Sequence, residues 1–195
     1  MTAEVFESGV RDALSRAPDS AWIRRGFALF GWGVSTRIDV GTGADRFDRA
    51  LRRLSAANAP LALASFTFDE NHPGSVVIIP RTLVKVDRSG TQFLIGEPND
   101  LPPPASPISM PAGDLGDGGL DVWMRLVGDA LDAIREREVE KVVLSRRLLA
   151  TFQGPVPAHL VLSNLARNEP GSHSFLVDGF VGSSPELLVS LASGS

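Results

Sequence analysis

Residues 75–95, SVVIIPRTLVKVDRSGTQFLI, establish the strand pattern of this chain. The β-branched run at 77–79 predicts a strand over residues 75–80 that stops at Pro80, because proline cannot donate to a central ladder. Residues 83–86 and 92–95 flank the turn-forming residues 87–90 and predict a β-hairpin. Upstream, residues 61–68 predict another strand, which turn formers at 69–74 join to the strand at 75–80.

Helical periodicity surrounds these strands. In the strongest case Val122, Leu126, Ala130 and Ile134 recur every four residues, and Asp121 is placed to cap that helix. The predicted helices span residues 5–16, 44–57, 121–138 and 158–167. Further strands are predicted at 26–34, 141–149, 174–177, 180–182 and 186–191, with the pair around residues 178–179 forming a tight hairpin. The pattern predicts an α+β fold, with mainly antiparallel sheets and helices on one face.

Composition excludes several classes of protein. The 195 residues are 43% hydrophobic and 22% charged, which is typical of a globular protein. The absence of cysteine excludes disulfides, cysteine-ligated zinc, iron–sulfur clusters and cysteine nucleophiles. A formal charge of −4 argues against a nucleic-acid or anionic-membrane partner. The acidic N-terminal residues do not resemble a secretory signal, no apolar run approaches the ~20 residues that span a bilayer, and we therefore expect a cytoplasmic protein.

Residues 97–120 differ in composition from the rest of the chain. Six of the 14 prolines lie there, together with several acidic residues and asparagine. Such a composition cannot pack a core and predicts a linker or long loop. The predicted organisation is therefore an N-terminal α+β part at 1–96, the linker at 97–120, and a second part at 121–195.

Three groups of polar residues favour ordinary structural roles. The turn at 41–43 before a helix lacks the further glycine, lysine and serine of phosphate-binding loops, which favours a simple helix start. On that helix Phe47, Leu51 and Leu54 are spaced to face inward. The arginines of the same helix are therefore predicted to lie on its solvated face: Arg46, Arg49, Arg52 and Arg53. The chain has three histidines: His72, His159 and His173. Their spacing is not that of metal ligands, so a histidine-built metal site is not expected. The sequence has no nucleophile-elbow motif, so a Ser-His-Asp triad is not expected either.

Two residues stand in positions where acid–base chemistry is one of two interpretations. Lys141 begins the apolar segment KVVLSR and is one of only two lysines, the other being Lys85. Burial can lower a lysine pKa far enough to leave the amine neutral, which arginine does not permit. Glu186 lies between a proline turn and apolar residues in SSPELL, where desolvation would raise its pKa and keep a proton on the carboxyl. Taken singly, the local pattern favours an ordinary role at a strand edge for each residue, as a snorkelling lysine and a solvated glutamate.

Together the two segments form a recognisable pair. KVVLSR at 141–146, followed by GSSPELL at 182–188, resembles the chorismate-utilising enzymes, and the isochorismate synthases most closely. The upstream segments FALFGWG at 27–33 and SFTFD at 65–69 are similar to the N-terminal half of the same enzymes.

The resemblance implies a fold and a reaction. The implied fold is the α+β fold of the chorismate-utilising, ADC synthase-like enzymes, in α/β/β/α layers with orthogonally packed, mainly antiparallel sheets, incomplete in this chain. The implied reaction adds water at C2 of chorismate while the C4 hydroxyl leaves, with Mg²⁺ holding a substrate carboxylate. Carried over, Lys141 is the base that activates water and Glu186 is the acid that protonates the departing hydroxyl.

The resemblance also leaves alternatives. Salicylate synthases share the lysine and go on to eliminate pyruvate, whereas the ammonia-using anthranilate synthases carry glutamine there. Family members run well beyond the SPE motif, so the Mg²⁺ ligands are expected outside this chain. A third interpretation is therefore a non-catalytic remnant or interaction module that keeps the first half of the fold. The sequence does not distinguish a menaquinone from a siderophore pathway, and it is silent on the oligomeric state.

Overall fold

A computed structural model describes residues 2–187 and shows a mixed fold of helices and antiparallel strands. The helices are α1 (Thr2–Ser15), α2 (Arg46–Ala57), α3 (Leu120–Arg135) and α4 (Ala158–Asn168), with a 3₁₀ turn at Pro98–Asp100. The strands are β1 (Ser20–Arg24), β2 (Phe27–Asp39), β3 (Leu63–Ser65), β4 (Val76–Asp87), β5 (Gly90–Ile95), β6 (Gly113–Leu115), β7 (Ala150–Phe152), β8 (His173–Val177) and β9 (Phe180–Ser184). The predicted α+β class is confirmed. Within the described residues no helix is both long enough and apolar enough to cross a bilayer.

Seven of these strands form one antiparallel sheet. Its order is β3-β4-β2-β1-β8-β9, and β5 also pairs with β4. The long ladder between β2 and β4 runs from the pair Phe27–Asp87 to the pair Asp39–Val76. The predicted hairpin over 83–95 is present, and so is the hairpin whose turn residues Asp178 and Gly179 both have positive φ.

The predicted end of a strand at Pro80 is wrong. β4 continues through Pro80, which is buried and paired with Val34 at a register shift between Val34 and Thr36. The ladder is irregular there, and proline is tolerated inside a strand at such a point because it has no N–H to complete a regular ladder. A Cβ on Gly31 would lie 2.6 Å from the Pro80 ring, so this glycine makes room for the proline on the neighbouring strand.

The sheet also contains a strand that the sequence analysis did not predict. β1 joins β2 to β8, although serine and acidic residues at its start suggest only the end of a helix. On one face of the sheet, α1 and α4 pack over a core that includes Ala21, Phe30 and Leu162, each fully buried. Residues that alternate with these point to the opposite face, where Leu29 and Val177 belong to a second cluster.

Helix α2 is rotated relative to the prediction. Arg46 and Ala50 are its buried residues, while Phe47 and Leu51 are 53% and 67% exposed. The expectations that Phe47 and Leu51 face inward and that Arg46 lies on a solvated face are both wrong. The Arg46 guanidinium bonds to the backbone carbonyls of Gly43 and Thr67, which holds it against the protein.

The chain divides into two compact units. Unit 1 consists of Met1–Ile108 and Pro157–Ser195, and unit 2 consists of Ser109–Val156. The boundary after Ile108 falls inside the predicted linker, and the boundary at Val156 has no counterpart in the sequence analysis. Every residue of unit 2 is described, and none is buried.

Unit 2 departs from two predictions. The predicted strand at 141–149 is wrong, because only Ala150–Phe152 pairs with a neighbour, the short β6. An extended segment becomes a strand only where another strand receives its backbone hydrogen bonds. The predicted cap at Asp121 is also wrong, since α3 begins one residue earlier and Gly119, with φ of 64°, is its N-cap. In unit 1, residues 186 and 187 of the last predicted strand are not in a strand, and 188–191 lie outside the described residues.

Candidate functional site

Lys141 lies in unit 2, in the irregular segment between α3 and β7. Its side chain is exposed and makes no hydrogen bond or ion pair within residues 2–187. The other lysine, Lys85, is accounted for by an ion pair of 3.0 Å to Asp87. Lys141 is therefore the lysine for which the described structure gives no structural role.

The end of the KVVLSR motif packs against the start of α3. Ser145 and Arg146 line a cleft of about 460 Å³ together with Trp123 and the loop at 116–119. The Arg146 guanidinium donates to the carbonyl of Asp117 in that loop. The motif is thus anchored at its arginine, while the lysine at its other end remains accessible to solvent.

Glu186 lies in unit 1, directly after β9 and Pro185. The backbone N–H of Glu186 donates to Ser184 Oγ over 3.2 Å, which closes a small turn. The carboxylate is exposed. The desolvation that acid–base chemistry requires is therefore not supplied to Lys141 or Glu186 by the residues that the structure describes.

A row of aromatic side chains lies beside the SPE turn. The Trp22 and Phe175 rings are stacked with centroids 6.2 Å apart, and Phe175 and Phe180 follow at 5.3 Å. Gly182 of the GSSPELL motif lies opposite Phe175, and a Cβ there would come within 2.6 Å of the Phe175 ring. Packing therefore explains why residue 182 of the motif is glycine, because a side chain there would collide with the aromatic ring.

His173 belongs to the same surface, although the sequence analysis assigned no site to this histidine. It pairs with Ser184 in register, and its ring centroid is 5.4 Å from that of Trp22. Its Nδ1 atom is buried and has no hydrogen-bond partner within the described residues. The alternation His173, Phe175, Val177 along β8 was the signal that could have placed this histidine next to the SPE turn.

The two predicted catalytic residues lie in different units. Neither unit alone contains both Lys141 and Glu186, so their roles as base and acid stay a prediction. Magnesium also stays a prediction. Among the described residues, no three His, Asp or Glu side chains form a group that could hold a metal ion, so these residues do not fit a metal site.

Comparison with known proteins finds a family match over the segment that holds both motifs. Residues 105–195, which contain both Lys141 and Glu186, match the family described as chorismate binding enzyme. The isochorismate synthase MenF of Bacillus subtilis (strain 168) is 37% identical over 79 residues, which are 38% of this chain and 17% of that protein. A Mycobacterium tuberculosis (strain H37Rv) relative is 25% identical over 154 residues, 70% of this chain and 37% of that protein.

Solved structures share the fold. The menaquinone-specific isochorismate synthase MenF of Escherichia coli aligns over 90% of this chain and 47% of its own, with a TM-score of 0.55 and 24% identity. DhbC of Bacillus anthracis aligns over 93% of this chain and 48% of its own, with a TM-score of 0.57 and 18% identity. The predicted resemblance to the chorismate-utilising enzymes is confirmed. The chain spans about half the length of the solved structures and well under two thirds of the curated relatives.

Proposed function

We propose that this chain supplies the acid–base pair of an isochorismate synthase. In the proposed reaction, water adds at C2 of chorismate and the C4 hydroxyl leaves as water. Neutral water is a poor nucleophile and hydroxide is a poor leaving group, so both ends of the reaction benefit from proton transfer. Lys141 and Glu186 are the residues to which the proposal assigns these two transfers.

The proton transfers balance within the pair. The neutral Lys141 amine takes a proton from the attacking water as the new C–O bond forms. The Glu186 carboxyl gives a proton to the departing C4 oxygen as that C–O bond breaks. Lysine ends as ammonium and glutamate as carboxylate, and returning one proton from the first to the second restores the starting state. Each transfer contributes about 10²–10⁴-fold to the rate.

One observation carries this proposal. The segment that matches the chorismate-binding family, residues 105–195, holds the lysine of KVVLSR and the glutamate of SPELL in the order that the family uses. Relatives and structural neighbours named as isochorismate synthases support the choice of reaction within that family. A lysine at position 141 supports a water-using enzyme, since the ammonia-using members of the family carry glutamine there.

Two alternatives remain within the proposal. A salicylate synthase would form isochorismate by the same steps and then eliminate pyruvate. A non-catalytic remnant or interaction module is favoured by a specific observation, the solvent exposure of both Lys141 and Glu186. An exposed amine and an exposed carboxylate lack the burial that the proposed acid–base chemistry requires.

Product analysis separates the three interpretations. The chain is incubated with chorismate and Mg²⁺, and the products are separated by chromatography. Isochorismate alone supports the proposal, and salicylate with pyruvate supports the second interpretation. No conversion supports the third. Loss of activity on adding a chelator, with recovery on restoring Mg²⁺, supports magnesium dependence, whereas activity that survives chelation contradicts it.

Substitution of the two residues tests their roles. Lys141→Ala and Glu186→Gln should each lower kcat by about 10²-fold or more, because each removes one proton transfer. Lys85→Ala is the matched control, since it removes the other lysine and should leave turnover unchanged. Activity within a few-fold of the parent in Lys141→Ala would reject the assignment of the base.

A further inference from the structure

A cleft in unit 1 is not used by the proposed reaction. It has a volume of about 910 Å³ and lies between α1 and α4, which cover the same face of the sheet. Ile23 of β1 and Ser174 of β8 contribute its floor. Neither Lys141 nor Glu186 lines it.

The interior of the cleft is mainly apolar. Phe6 and Val10 of α1 face Leu160 and Ala166 of α4 across it. Apolar walls of this kind favour a ligand with an apolar body, because burying such a body releases ordered water. The His159 ring also lines the cleft, and burial lowers the pKa of this histidine, which favours the uncharged ring.

The rim of the cleft is positively charged although the chain as a whole carries a formal charge of −4. Four arginines and two glutamates line it: Arg11, Arg24, Arg25, Arg167, Glu7 and Glu169. Within the described residues none of these arginines forms an ion pair of 4.0 Å or less with either glutamate, so the charges do not cancel in pairs.

Two of the four arginines have other contacts. The Arg24 guanidinium lies over the Phe27 ring at 5.2 Å, and Arg167 donates to Asn164 Oδ1 at 2.9 Å. Arg11 and Arg25 are exposed and make no hydrogen bond or ion pair within residues 2–187. These two guanidinium groups therefore have all their donors available for a ligand, and a guanidinium matches a carboxylate in bidentate geometry.

We infer that this cleft binds a small organic carboxylate with an apolar body, at a site separate from Lys141 and Glu186. The carboxylate lies at the arginine rim and the apolar body lies between α1 and α4. An inorganic anion would leave the apolar walls unused, and a neutral aromatic molecule would leave the arginines unused. The combination of both surfaces selects the ligand class.

The test compares two probes of nearly equal shape. 2-Naphthoate carries the charge and 2-naphthamide does not, and each is titrated into the full chain by isothermal calorimetry. We expect saturable binding of naphthoate with one site per chain. The affinity for the amide should be lower by about tenfold or more, which is the loss expected for one charged hydrogen bond. Raising the salt concentration should weaken naphthoate binding, because the arginine rim is accessible to ions.

Substitutions then locate the site. Arg25→Gln and Arg11→Gln should each weaken naphthoate binding about tenfold, and Ser163→Phe should abolish it by filling the cleft. Arg52→Gln, an exposed arginine on α2 away from the cleft, and Lys141→Ala should leave binding unchanged. Circular dichroism of each variant checks that it is folded.

Four results would overturn the inference. They are the absence of saturable naphthoate binding, equal affinity for the amide, affinity unaffected by Arg25→Gln and Ser163→Phe, or loss of binding in Lys141→Ala. The last result would place the probe at the proposed catalytic residues instead. Because the probes involve no turnover, the inference and the proposed reaction can fail independently. The comparison of the two probes needs no variant, so it stands even where a substituted chain does not fold.

Discussion

Asp87, at the turn between β4 and β5, is held by three hydrogen-bond donors. They are the hydroxyl of Ser89, the Lys85 ammonium at 3.0 Å and the Ser89 backbone N–H at 2.8 Å. The hydroxyl of Ser89 contributes most, and together the donors lower the pKa of this carboxyl from 3.8 to about 2. The carboxylate form is therefore preferred more strongly in the folded chain than in the unfolded one.

This preference predicts a pH dependence of folding. A lowered carboxyl pKa contributes stability that is complete above the unfolded value of 3.8 and is lost as pH falls through about 2. Asp87→Asn should therefore lower the urea midpoint at neutral pH, and the difference from the parent should disappear as pH falls through that window. Asp48→Asn is the control, because that carboxylate has no partner within the described residues and should show no such convergence. A constant difference between the parent and Asp87→Asn across the window would contradict the prediction.

At the scale of elements, α2 shows how one buried charge sets the rotation of a helix. The Arg46 guanidinium is 3.5 Å from Glu70, donates to the Thr67 carbonyl at 3.3 Å and lies over the Phe47 ring at 4.7 Å. Arg46→Ala removes these contacts and takes the guanidinium donor from the Thr67 carbonyl, whereas the Gly43 carbonyl still accepts from the backbone N–H of residue 46. We expect it to lower the free energy of unfolding by about 1–3 kcal/mol, measured by urea denaturation.

The same helix provides the control. Arg52 is exposed and makes no hydrogen bond or ion pair within residues 2–187. Arg52→Ala should change the free energy of unfolding by no more than about 0.5 kcal/mol. Equal effects of the two substitutions would show that Arg46 contributes only surface charge.

Elements whose signals are local could be predicted from the sequence. The hairpin at Asp178-Gly179 needed only a dipeptide that tolerates positive φ, and α3 needed only its four-residue repeat. Elements that depend on distant partners could not. Pro80 remains within β4 because of a bulge in β2, and residues 141–149 lack a strand because no neighbour pairs with them in the described structure.

Residues of the candidate site and of the cleft also differ in whether a local signal in the sequence marks them. Lys141 and Glu186 could be predicted because each belongs to a contiguous motif with a family resemblance. The arginine-lined cleft could not, because it depends on the pairing between β1 and β8, which are about 150 residues apart in the chain. No local pattern marks Arg25 and Arg167 as neighbours of one cavity.

At the scale of the whole molecule, burial is unevenly distributed. Every residue that the structure shows as buried between residues 2 and 187 belongs to unit 1, and β4 alone contributes nine of them in the pattern BBBBBeBBBiBi. In unit 2 several apolar side chains of α3 are exposed, including Val122 at 52%, Leu126 at 48% and Leu131 at 48%. A helix with no fully buried residue gains little from tertiary packing, which is the main source of helix stability.

Hydrogen exchange should therefore differ between β4, a strand of the main sheet, and α3, a helix of unit 2. Amides of β4 open only with the core of unit 1, whereas amides of α3 open by local unfolding. We expect peptides from α3 to exchange at least about a hundredfold faster than peptides from β4, measured by mass spectrometry at neutral pH. Protection of α3 equal to that of β4 would contradict this prediction. Loss of that protection on dilution of the protein would show that a second copy covers the apolar face of α3. Protection that does not change on dilution would show that the chain itself covers that face in solution.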